Sequence, residues 1–115
     1  MAIATINPAN GETVKTYDEM SEAYVERCLA AAAAVHESYR LTSFAERAGW
    51  MRAAASILDT EQDQIAAMMT TEMGKTLAAA KQEVAKCATA CRYYADHAEQ
   101  FLADEPADAS GVGAA

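Results

Sequence analysis

The sequence predicts a mainly α-helical chain: four helices behind a short N-terminal β-hairpin. Three observations carry that prediction. Residues 76–103 contain neither Gly nor Pro, and their apolar or small residues recur at steps of three and four: Leu77, Ala80, Val84, Cys87, Cys91, Tyr94, Ala98 and Phe101. That spacing lays eight side chains along one stripe of a helix. Upstream, Ser43 with Glu46 has the pattern of a capping box, and Gly74 stands where a glycine ends a helix. At the start of the chain, Asn7-Pro8 and Asn10-Gly11 are turn signals between two β-rich runs.

In order, residues 2–6 (AIATI) pair with 12–17 across the Asn7–Glu12 turn, making a hairpin domain of residues 1–17. A helical layer of residues 18–103 follows, with helices near 19–40, 43–59, 61–73 and 76–103. In the first helix Val25, Cys28, Ala32, Val35 and Tyr39 share a face. In the second, Phe44, Ala48, Met51, Ala55 and Leu58 form the core stripe, with Trp50, Ala54 and Ile57 beside it. Thr60 followed by Asp63 is a weaker N-terminal cap signal, and Ile65, Met68, Met69 and Met73 are expected to face inward on the third helix. Thr76 caps the fourth helix, whose other sides carry Lys81, Glu83, Lys86, Arg92, Asp96 and Glu99. Residues 104–115 form a flexible acidic and Gly-bearing tail.

Composition narrows the partners. Seventeen acidic against nine basic residues give a net charge of −8, which argues against nucleic acid or an anionic membrane surface. The longest wholly apolar run, residues 28–35, is far short of the ~20 residues a membrane span needs. The start carries no basic segment followed by a long apolar one, so no export signal is expected. Three cysteines, an odd number, suit a reducing, cytoplasmic setting. Hydrophobic residues make up 52% of the chain but aromatics only 7%. A core rich in alanine brings helices close yet buries little area, so the chain is marginal alone.

Each candidate for chemistry has a plainer explanation. Gly74-Lys75-Thr76 looks like the end of a phosphate loop, but Met69 stands where that motif needs Gly, inside a helical pattern. Cys87, Cys91 and His97 invite a metal or redox reading, yet both thiols lie on the apolar stripe and His97 projects elsewhere. Cys28 and His36 are two turns apart, about 12 Å, too far for a nucleophile and its base. Glu72 and Glu83 are isolated carboxylates. Met68, Met69 and Met73 fit a core better than a ligand site, and Gly111-x-Gly113 is too short for a dinucleotide fingerprint. From the residues alone, no catalytic, cofactor-binding or metal-binding site is assigned.

Three motifs in register do carry a resemblance. Ile6-Asn7-Pro8-Ala9-Asn10-Gly11-Glu12 resembles the "NPATGE" hairpin of the aldehyde dehydrogenase superfamily. Glu72-Met73-Gly74-Lys75-Thr76-Leu77 with Glu83-Val84 resembles its "E-x-G-K-P-x-x-E-A-x-x-E-V" helix–turn–helix, with Thr76 in place of Pro. Arg92-Tyr93-Tyr94-Ala95-Asp96-His97-Ala98 resembles its "YYA-x-x-A" segment. The wording as a whole is most similar to the bacterial NADP-dependent succinate-semialdehyde dehydrogenase branch.

The resemblance implies that this is the N-terminal part of an α/β, Rossmann-type enzyme that oxidises an aldehyde to a carboxylic acid. In that chemistry a cysteine thiolate attacks the carbonyl, hydride passes from the adduct to NAD(P), and a Glu-activated water hydrolyses the thioester. Neither the family's nucleophile context nor its general-base Glu is matched here, so Cys28, Cys87 and Cys91 take no catalytic label. The segment is expected to stop before the cofactor-binding domain, to bind no cofactor, and to be inactive alone. Its expected partner is the remainder of the enzyme, or a homo-oligomer in the intact family. The resemblance also implies that Lys86, Ala90, Tyr93 and Tyr94 lie near a substrate tunnel. The alternative is a stand-alone helical module that dimerises or grips a partner through the 77–101 seam.

Overall fold

The computed structural model describes residues 3–107. Residue 2 of the expected hairpin, and residues 108–115 of the expected tail with Gly111 and Gly113, lie outside them. The elements in order are β1 (Ile3–Ile6), β2 (Thr13–Tyr17), α1 (Glu22–Tyr39), α2 (Phe44–Thr60), α3 (Gln62–Met73) and α4 (Leu77–Phe101). The chain is mainly helical, with one two-stranded antiparallel sheet.

The hairpin is built by its turn. The Asn7 N–H donates to the Glu12 carbonyl at 2.9 Å and the Gly11 N–H to the Asn7 carbonyl at 2.8 Å. Asn7 Oδ1 accepts from Ala9 N–H and Asn10 Oδ1 from Glu12 N–H, so each Asn side chain stands in for a backbone turn partner. Gly11 has φ 75°, the left-handed conformation in which a Cβ is penalised. Ile3 pairs with Tyr17 and Thr5 with Lys15, and a bulge between Thr5 and Ile6 shifts the register so that Ile6 faces Thr13.

Helix starts follow their caps. α1 begins at Glu22 rather than 19 because Ser21 supplies the cap, its Oγ accepting from Tyr24 N–H. Ser43 and Glu46 form the full reciprocal box at the start of α2. The Thr60–Asp63 signal is not used. Thr60 is the last residue of α2 and its hydroxyl donates to the Ser56 carbonyl at 2.6 Å. α3 starts after Glu61 with no side-chain cap. Gly74 closes α3 at φ 71°, and Thr76 Oγ1 accepts from Ala79 N–H to open α4.

The core lies where α4 runs across α2 and α3, and its fully enclosed residues are small: Ala55, Ala66, Ala80, Val84 and Ala88. This corrects the expected stripe on α4. Ala80 and Val84 are buried, but Ala88 takes the place expected for Cys87, and Cys91, Ala95 and Ala98 continue the seam half-buried. Leu77, Cys87, Tyr94 and Phe101 are exposed. Straight helices in contact through i, i+4 rows approach most closely where side chains are smallest, so alanines win the seam and bulky residues are displaced to its edges. On α3 the same effect buries Ala66 and leaves Met68 and Met73 exposed, against expectation, while Ile65 and Met69 are half-buried. On α2, Ala55 is buried, Phe44, Ala48, Met51, Ala54 and Leu58 are half-buried, and Trp50 and Ile57 face outward.

α1 is exposed along its whole length, including Leu29 at 59% and Val35 at 62%. It joins the rest at a corner where Arg47 donates to the Tyr39 carbonyl and to Thr42 Oγ1, and where Tyr39 stacks on Trp50 with ring centres 5.7 Å apart. The radius of gyration is 21.2 Å, against about 13 Å for a compact 100-residue domain. Accessible area is 9301 Å², whereas a compact monomer of this mass exposes roughly 6,000 Å². The chain therefore leaves about 3,000 Å² uncovered that a self-contained domain of its size would bury.

Candidate functional site

Two surfaces of α4 gather the residues with functional potential. The first is a groove of about 510 Å³ between the start of α2 and the end of α4. Phe44, Met51 and Leu102 give it apolar walls, Tyr94 stands at its side, and Arg52 and Asp96 pair across it at 2.7 Å. The second is the outer face of α4. Tyr93 stacks on His97 with ring centres 4.4 Å apart, and His97 on Phe101 at 6.0 Å, making a ladder at i, i+4, i+8 in which Tyr93 and Phe101 are exposed and His97 is half-buried. His97 Nδ1 donates to the Tyr93 carbonyl at 2.8 Å, which fixes its ring along the helix. The spacing of these three aromatics was available in the sequence; the expected stripe took Tyr94 and Phe101 and passed over the ladder.

The residues weighed for chemistry are spread out. Lys86, Cys87 and Ala90 line an open depression with Gln82 and Glu83. Tyr93 is on the outer ladder, whereas Tyr94 belongs to the groove. Cys91 is half-buried beside the seam while Cys87 is exposed, and both are free thiols, as is Cys28 on α1. Among the described residues no three His, Cys, Asp or Glu side chains converge closely enough to hold a metal ion. Cys28 and His36 lie on α1 away from the body.

Gly74-Lys75-Thr76 is a joint between helices. The Gly74 N–H is spent on the Thr70 carbonyl, Thr76 Oγ1 on the first turn of α4, and Lys75 forms an ion pair with Glu83. A Cβ on Gly74 would sit 3.0 Å from Pro8 Cγ, so the tip of the hairpin rests on this joint. A dinucleotide cradle needs a strand leading through a glycine turn into a helix N-terminus. Among the described residues the strands form one hairpin, and neither leads into such a turn. Among the described residues Glu46 has a shifted carboxyl: the Ser43 N–H and then the Ser43 hydroxyl donate to its carboxylate and hold it below the usual range.

A hairpin tip seated on the glycine joint of a helix pair, followed by a long helix bearing paired tyrosines, is an arrangement with known relatives. Residues 1–112 match the model of the aldehyde dehydrogenase family, and the chain belongs to that family. Among curated proteins it is 60% identical over 114 residues to a succinate-semialdehyde dehydrogenase [NADP(+)] of Mycobacterium bovis, covering 99% of this chain and 25% of that one. A protein of the same name from Mycobacterium avium is 59% identical, again with 25% of its length covered. The structure superposes on the succinic semialdehyde dehydrogenase of Streptococcus pyogenes, solved in complex with NADP+, with a TM-score of 0.85 and 33% identity over 93% of this chain and 24% of that one. The chain thus spans about a quarter of the length of the relatives it matches. Among the described residues no helix is long and apolar enough to cross a membrane.

Proposed function

We propose that this chain is the N-terminal quarter of an NADP-dependent aldehyde dehydrogenase that oxidises succinate semialdehyde or a closely related aldehyde acid. Its own part is architectural. The hairpin and helical layer pack on the remainder of the enzyme, which holds the cofactor, the nucleophilic cysteine and the general base. The observation that carries this reading is the uncovered area: about 3,000 Å² in excess of a compact domain, with α1 exposed on every side. That exceeds what one partner contributes to a standard interface, ~800 Å², and suits a layer built against a large body. NADP rather than NAD is supported by the names of relatives that are 59–60% identical to this chain. The three free thiols support a reducing, cytoplasmic setting. Purified chain 1–115 is expected to give no NADP reduction with succinate semialdehyde, and co-expression with the remaining three quarters of a close relative is expected to give an active complex. Turnover by the segment alone overturns the assignment.

The Tyr93–His97–Phe101 ladder favours a second reading, a helical module that self-associates through α4. Sedimentation separates the two: a discrete dimer supports the module, whereas a monomer with dye-binding apolar surface supports the layer.

A further inference from the structure

The tip of the hairpin joins a reactive dipeptide to a set of hydrogen bonds that oppose its reaction. Asn7 and Asn10 are the two asparagines of the chain, and Asn10-Gly11 is exposed. An asparagine followed by glycine is prone to cyclise, because no Cβ shields the glycine nitrogen from the side-chain amide carbon before it. Around Gly11 the space is open: a Cβ there would meet nothing within 4 Å. Asn7 is followed by Pro8, whose nitrogen carries no hydrogen to give up, so the same closure is denied to Asn7.

The folded turn restrains both reacting groups. The Gly11 N–H, which must lose its proton before the nitrogen can attack, donates to the Asn7 carbonyl at 2.8 Å. The Asn10 amide is tied twice to one residue. Its Nδ2 donates to Glu12 Oε2 at 2.8 Å, and its Oδ1 accepts from Glu12 N–H at 3.1 Å. Ring closure needs the Asn10 Cγ to reach an attack position over the Gly11 nitrogen, and it needs Nδ2 to depart. Both movements break these bonds, and the bond to the Glu12 carboxylate is charge-assisted, the stronger kind. We propose that Asn10 is a deamidation site that the folded turn keeps latched, with the Glu12 side chain as the latch.

The step balances with water as the co-reactant. The Gly11 nitrogen gives its proton to hydroxide and bonds to Asn10 Cγ. The Cγ–Nδ2 bond breaks, and Nδ2 takes up a proton from water and leaves as ammonia. Water then opens the five-membered imide at one of its two carbonyls, giving aspartate or isoaspartate. One water is consumed, one ammonia is released, and nothing is oxidised or reduced. Either product removes the Nδ2 donor and leaves a carboxylate near that of Glu12, so repulsion replaces a bond. The isoaspartate also adds one carbon to the main chain inside the loop closed by the Asn7 carbonyl and the Gly11 N–H. Pro8 lies within that loop and packs at Gly74, so deamidation unseats the hairpin from the joint between α3 and α4. The reaction needs only the turn and is independent of the enzymatic role proposed above.

The test incubates the whole 115-residue chain at mildly alkaline pH, in buffer and in guanidinium chloride, and follows conversion by mass spectrometry of tryptic peptide 1–15. Conversion is expected at Asn10 and not at Asn7, and more slowly in buffer than in denaturant. Glu12→Ala should react about two- to tenfold faster than the parent in buffer, the factor that one hydrogen bond carries, and at the parent's rate in denaturant. Glu12→Gln keeps an acceptor and should fall between them. In nuclear magnetic resonance spectra, the proton contact between Pro8 and Gly74 should be present before conversion and lost after it. Equal rates in buffer and denaturant overturn the proposal, as does a Glu12→Ala rate in buffer equal to the parent's. Equal acceleration by Glu12→Gln and Glu12→Ala overturns the latch, and a Pro8–Gly74 contact that survives conversion overturns the unseating.

Discussion

Gly74→Ala is the substitution whose cost can be worked most directly from the structure. Gly74 sits at φ 71°, ψ 14°, closing α3 in the left-handed conformation. A Cβ there costs about 1–2 kcal/mol from the main chain alone. The new methyl would also lie 3.0 Å from Pro8 Cγ and 3.6 Å from Pro8 Cβ, inside the 3.5–4.0 Å optimum for carbon pairs at the first contact. Pro8 is on an exposed turn and can give way, so this overpacking belongs at the low end of its range, about 1 kcal/mol. The total is about 2–3 kcal/mol, and with a urea slope typical of small domains the midpoint falls by about 1–2 M. Urea unfolding followed by far-ultraviolet circular dichroism measures it. The two parts separate in a cycle: Pro8→Gly removes the steric part and leaves the conformational one, so coupling of about 1 kcal/mol is expected between positions 8 and 74. Gly74→Asn, which tolerates the left-handed region, should lose less than Gly74→Ala. A Gly74→Ala stability within about 0.3 kcal/mol of the parent refutes the strain argument, and purely additive effects of the two changes refute the seating of the hairpin on the joint.

Two further outcomes follow from the same structure. Ala88→Leu forces three more carbons into a fully enclosed seam and should cost about 1–3 kcal/mol, while Ala53→Leu on the exposed side of α2 stays within about 0.5 kcal/mol of the parent; thermal melts of the pair decide. Glu46→Gln tests the pH dependence. The Glu46 carboxyl is held low by hydrogen bonds from Ser43, so its contribution is complete above the unfolded pKa and is lost as pH falls through the folded value. The parent should therefore be more stable than Glu46→Gln at neutral pH, and the two melting curves should converge on acidification below the ordinary carboxylate range.

Much of the fold was legible because its signals are local. Asn7, Asn10 and Gly11 shape a turn by hydrogen bonding within a few residues, and Ser43 with Glu46 and Gly74 mark helix ends in the same way. The family too was legible, from the resemblance carried by Ile6–Glu12, Glu72–Val84 and Arg92–Ala98, and residues 1–112 match its model. The buried face of α4 was harder to read. Leu77, Cys87, Tyr94 and Phe101 are apolar and fall on a regular stripe, yet the partner helices meet the alanines one position round. Periodicity shows that a face is apolar; it does not show which neighbour uses it, and Met68 and Met73 misled for the same reason. α1 is the extreme case, an apolar stripe that among the described residues is exposed along its length and is met at its end by Trp50, which stacks on Tyr39. No catalytic group was assigned from the residues, so function was legible through resemblance alone.

The alanine seam has a mechanical consequence. Ala55, Ala66, Ala80 and Ala88 have no side-chain torsions to rearrange, so they surrender no rotamer entropy on burial and have none to regain on warming. Loosening cannot begin with side chains swapping wells, as it does in a leucine-rich interior. α4 must stay where it is or part from its neighbours as one rigid rod.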